Sequence, residues 1–115
     1  IATIRAALTH ASSNGTPVVS ATNTILVAAP SAANHLRIHR LHASNSGATS
    51  TWVYWRDGIA GTLLLPCYLP QNGIVSIDLI GSWNLTGGGT PKALYLNTSA
   101  AGSVEWGVSY ATEAD

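Results

Sequence analysis

The chain has 115 residues, 46% of them hydrophobic, and its five basic and five acidic side chains leave no formal net charge. That length fits one domain, whose folding removes roughly two thirds of the unfolded surface from water. Five basic residues make too poor a cationic face for a nucleic-acid binder, and no stretch approaches the roughly 18–20 apolar residues of a membrane span, so neither nucleic acid nor membrane is an expected partner.

In chain order, residues 1–11 (IATIRAALTHA) suit a helical turn or an extended arm equally. With the turn at Ser12-Ser13-Asn14-Gly15 they form an N-terminal arm and first turn, 1–15, ahead of a β domain at 16–115. A short strand is expected over 16–20, with Pro17 at its entry. A β-branched run over 24–29 follows, broken at Pro30. The stretch 34–58 then holds three of the four histidines and two of the four tryptophans. It reads as a hairpin around the small-residue turn 43–47, closed by Asp57-Gly58.

The alternation within that stretch is broken. Leu36 and Ile38 share one strand face, whereas Leu41 lies on the other with His35, Arg37 and His39. A strand changes its buried side only through a bulge, a bend or a second buried face, so one of these is expected near His39-Arg40. In 51–55, Val53 and Trp55 face one way and Trp52 and Tyr54 the other. Both sides are bulky, so one is core and the other is expected to meet a partner. Strands over 62–68, 74–80, 92–97 and 103–111 complete the set, with a long Gly-rich loop over 81–91 carrying Trp83 and Leu85. About eight strands, spaced 8 to 12 residues apart and separated by turn signals, define an all-β antiparallel sandwich or barrel.

No catalytic, cofactor or metal site emerges. On a strand, His35 and His39 stand about 13 Å apart and His42 points to the other face, so a single chain cannot gather them around a metal. Only a symmetry axis joining copies of one histidine would do so. There is no Gly-x-Ser-x-Gly elbow and no paired carboxylates, and Gly87-Gly88-Gly89 lacks the context of a phosphate loop and reads as flexible. Asp57 reads as a turn residue and Asp78 as the exposed half of an alternating strand. The lone Cys67 has neither base nor positive charge beside it in sequence and reads as a buried hydrophobe. Trp83 either plugs the end of the core or anchors a partner.

From residue 24 onward the order of features resembles that of small virion proteins of tailed bacteriophages. TILVAAP leads into the basic strand HLRIHRL, the turn HASNSGATS and an aromatic strand ending in Asp-Gly. The end, KALYLNTSAAGSVEWGVSYATE, is similar to the Leu-x-Leu-Asn-x-Ser-Ala-Ala-Gly-x-Val … Tyr closing hairpin of that family. The resemblance implies a jelly-roll β-sandwich, often trimeric, attached to the outside of the major capsid shell as a decoration or cement protein. It implies synthesis in the host cytoplasm and residence on the virion. The expected function is structural and non-enzymatic, with the major capsid protein and further copies of the chain as partners. Candidate interface residues are Ile4, Arg5, His39, Trp52, Tyr54 and Trp83. The alternative is a carbohydrate- or receptor-binding sandwich of a tail fibre or a secreted enzyme.

Overall fold

A computed structural model describes residues 23–59, 61–100 and 103–115, together with the backbone of 8–14. Eight strands occur in these residues: β1 (Leu8–Asn14), β2 (Thr24–Val27), β3 (Asn34–Asn45), β4 (Thr51–Asp57), β5 (Thr62–Leu69), β6 (Ile74–Asn84), β7 (Leu94–Thr98) and β8 (Val104–Ala114). They form two four-stranded antiparallel sheets, one ordered β1-β8-β3-β6 and the other β2-β7-β4-β5. β1 pairs with β8, β2 with β7, β3 with β6 and β4 with β5. The chain is thus one long nested antiparallel ribbon, tipped by the β4–β5 turn and rolled into two layers. This is the jelly roll.

Two expectations change here. The stretch 34–58 is not a hairpin: β3 lies in the first sheet, β4 in the second, and the intervening turn is an arch between layers. The closing segment behaves likewise, with β7 and β8 in opposite sheets. A short polar turn looks the same in sequence whether it joins neighbours in one sheet or crosses between two. The second change is at the N-terminus. Leu8–Asn14, assigned by sequence to the arm and its turn, pairs along its whole length with β8. The strand expected over 16–20 lies outside the described residues.

The core follows from period-two alternation. Val53 and Trp55 from β4, Leu94 and Leu96 from β7, Leu36, Ile38 and Leu41 from β3, and Val104 from β8 are all at most 1% exposed. The broken alternation in β3 is resolved by a bulge: the register slips between Ile38 and Arg40 against both β8 and β6. His39 is the extra residue, so Leu36, Ile38, Leu41 and Ala43 all reach the interior. On the β6 side the irregularity is larger. Residues 79–82 stand across from His39 alone, with Gly81 and Ser82 at positive φ and Ile80 fully exposed at the tip.

The arch from β3 to β4 is held by Asn45, which is 1% exposed. Its Nδ2 donates to the carbonyls of Thr49 (2.9 Å) and Leu69 (3.1 Å), and its Oδ1 accepts from the Gly47 N–H (3.0 Å). Its backbone N–H and carbonyl bond to Gly73 and Asn72 of the next inter-sheet turn. One side chain therefore fastens two crossings. Asn45→Ala is expected to destabilise the domain by about 2–3 kcal/mol, because it leaves buried backbone groups without partners. Urea unfolding followed by tryptophan fluorescence measures this.

Candidate interaction surface

The two sheets present contrasting faces to solvent. On the first, the outward side chains of β3 and β8 form a polar network. The Arg37 guanidinium donates to Glu113 (3.0 Å) and to Ser82 Oγ (2.6 Å). His35 Nδ1 meets Asp115 at 2.8 Å, and its Nε2 lies 3.7 Å from Glu113. Both ring nitrogens thus face carboxylates, with only Nδ1 in hydrogen-bonding range. Further along, Arg40 pairs with Asp78 (3.4 Å), and Glu105 accepts from Ser44 (3.3 Å) and Ser46 (3.0 Å). His42 lies over Gly107, where any Cβ would collide with the imidazole. No group of three or more His, Cys, Asp or Glu that could hold a metal ion occurs among the described residues.

The Gly-rich loop is tied down rather than flexible. The Gly88 N–H donates to the Asp115 carboxylate (2.7 Å), and the Ala33 N–H donates to the Gly88 carbonyl (2.8 Å). Asp57, beyond its place in a turn, accepts from both the N–H and the hydroxyl of Thr86 at the start of the same loop. The hydrogen bond from His35, reinforced by the Gly88 N–H, holds the Asp115 carboxyl below its usual pKa. A carboxyl depressed in the fold contributes stability above its unfolded value, and that contribution is lost as pH falls through the folded value. Asp115→Asn should therefore lower the melting temperature at neutral pH, with the gap to wild type closing as pH drops below about 4. Calorimetry across pH tests this.

The outer face of the second sheet is aromatic and almost uncharged. Trp52 stands opposite Tyr68, Tyr54 opposite Pro66 and Asn97, and Arg56 opposite Tyr95, which in turn neighbours Ile25. These positions point outward because Val53, Trp55, Leu94 and Leu96, their neighbours in sequence, point inward. Trp52 is 42% exposed and Tyr68 53%, with ring centroids 5.4 Å apart and planes inclined at 56°. The Arg56 guanidinium is held within the face. Its Nε donates to Asn97 Oδ1 (3.0 Å), another of its nitrogens donates to the Gly61 carbonyl (3.1 Å), and the guanidinium carbon sits 5.8 Å above the Tyr54 ring.

Of the residues singled out by sequence, Trp52 and Tyr54 share this face. Trp83 does not. It lies at the end of β6, opposite Ile38, half-buried against the core. His39 is the bulge residue of the other sheet, and Ile4 and Arg5 lie outside the described residues. Sequence reasoning passed over Tyr68, Pro66, Tyr95 and Arg56. Alternation along 62–69 already put Pro66 and Tyr68 on the face opposite Cys67 and Leu69, but only the pairing of β5 with β4 brings Tyr68 beside Trp52. Cys67 itself is half-buried, and burial raises its thiol pKa, which keeps it protonated.

No family model matches the chain, and no curated protein sequence does. Among solved structures, a pilus subunit of Bacillus endospore appendages, described as disulfide-linked pili, aligns over 93% of this chain and 86% of its own with a TM-score of 0.52 and 13% identity. Tobacco streak virus coat protein aligns over 95% of this chain and 87% of its own, with a TM-score of 0.47 and 10% identity. A carbohydrate-binding module from Cellvibrio mixtus lichenase 5A aligns over 95% and 88%, with a TM-score of 0.34 and 8% identity. At such identities the pilus-subunit alignment shows the fold alone, and the other two carry no argument. The class the molecule defines is a jelly-roll β-sandwich with one polar and one aromatic outer face.

Proposed function

We propose that this chain is a non-enzymatic virion subunit of the capsid decoration type, which seats its aromatic sheet face on the major capsid protein. The observation that carries the reading is the outward row Trp52, Tyr68, Tyr54, Pro66 on a rigid sheet. Large exposed rings gain free energy by being covered, and Trp and Tyr dominate interface energetics. The lack of net charge adds no long-range repulsion between closely packed copies. The resemblance of residues 24–115 to phage virion proteins supplies the particular partner. In mechanical terms, each subunit would bridge joints of the shell, and many modest contacts would add up to resistance against expansion.

A carbohydrate- or receptor-binding role is the second reading, favoured by the tilted Trp52–Tyr68 pair beside Asn97. It is the weaker of the two. A sugar needs free hydrogen-bonding groups next to the stacking ring, and here the Asn97 carbonyl and two guanidinium nitrogens of Arg56 are engaged with each other and with Gly61.

Capsids of the encoding phage, stripped of the chain and mixed with purified protein, test the proposal. Wild type should co-sediment and raise the temperature of shell disruption. Trp52→Ala with Tyr68→Ala should weaken binding by at least about tenfold while leaving the fold intact, since both rings are exposed. Unchanged binding of the double variant, or no binding by wild type, would sink it. Glycan binding that is lost in the same variant would favour the second reading.

A further inference from the structure

β6 is the edge of its sheet, and among the described residues no strand pairs with its outer side. Natural sheets blunt such edges with proline, with charge or by keeping them short. The other sheet follows this rule: β5 carries Pro66, which has no N–H to offer, and β2 has four residues. The stretch 74–78 of β6 (IVSID) contains no proline, and its one charge, Asp78, already faces Arg40. Beyond it, the excursion at 79–82 stops any longer ladder.

The interior is also incompletely covered on this flank. Leu41 and Ala43 of β3 are 0% exposed, yet Ile77 and Val75, paired with them and facing the same core, are only half-buried. Leu79, and Leu64 and Cys67 across the flank on β5, are in the same condition. On the outer side of the stretch Ile74 is 78% exposed. β5 contributes no charged residue at all.

We propose that residues 74–78 pair antiparallel with the same stretch of a second copy, centred on Ser76, so that two sheets run on into one across a twofold axis. In that register the centre of the stretch matches itself, while Ile74 at each end falls opposite the partner's Asp78. Val75 falls opposite the partner's Ile77 on the core side, and Ser76 meets the partner's Ser76 on the outer side, where a small hydroxyl fits at the axis. Among the described residues the unpaired edge is five residues long and ends at the excursion, which suits a closed pair. A standard interface buries about 800 Å² per partner. A five-residue ladder supplies less, so the association is expected in the micromolar range. The inference stands apart from the capsid reading, because it concerns the isolated chain.

Sedimentation velocity of the purified protein from about 1 to 300 μM should show a monomer–dimer equilibrium. Ser76→Asp, at an exposed position, places two carboxylates opposite each other and should raise the dissociation constant about fivefold or more. The register is tested separately by Ser76→Cys in a Cys67→Ser background. Directly opposed residues of an antiparallel pair have Cα atoms about 4.5–5.5 Å apart, within reach of a disulfide. That variant should oxidise to a covalent dimer, whereas Ser109→Cys on the same outer face should not. A monomer at every concentration, a trimer, or equal cross-linking of both variants overturns the proposal.

Discussion

The indole of Trp55, fully buried between the sheets, decides which way β4 faces. Once that ring and Val53 are committed to the core, the pleat sends Trp52, Tyr54 and Arg56 to the outside. A one-residue slip would exchange a large buried ring for a polar or exposed one, so the register is held by burial worth several kcal/mol. The aromatic outer face is thus a consequence of where the core sits. Neighbouring strands extend it, because pairing aligns Tyr68 with Trp52 and Asn97 with Tyr54.

The two ends of the sandwich are secured by polar side chains in loops. At one end Asn45 ties two inter-sheet crossings together through buried hydrogen bonds. At the other, Asp57 and Asp115 grip the loop after β6 at Thr86 and Gly88, and His35 holds Asp115 in place. Among the described residues these charges and amides are engaged structurally, as interlocked pairs along the polar face and at the loop ends. What remains available to a partner is mainly apolar.

Much of this was legible in the sequence. Seven of the eight strands follow from β-branched runs and turn signals, and the interrupted alternation in HLRIHRL marks an irregularity near His39-Arg40, which pairing with β8 and β6 identifies as a bulge at His39. The division of Trp52 and Tyr54 from Val53 and Trp55 was equally plain. The layer to which each strand belongs was not. Ala43 to Gly47 looks like a hairpin turn, and only the burial of Asn45 reveals an arch between sheets. Likewise nothing local in Gly87-Gly88-Gly89 announces that Asp115 will occupy the space a Cβ at Gly87 would need. Trp83, placed by sequence in the Gly-rich loop, is the same kind of case: it belongs to the end of β6 and pairs opposite Ile38. Long-range pairing supplies this information, and single-strand periodicity does not contain it.

In the proposed decoration role, the β2-β7-β4-β5 face is the one that meets the shell. A cryo-electron microscopy reconstruction of particles carrying the chain addresses it directly. The prediction is that Trp52 and Tyr68 lie against the major capsid protein, with the polar β1-β8-β3-β6 face turned to solvent. Particles in which that polar face contacts the shell and both rings remain exposed would contradict it.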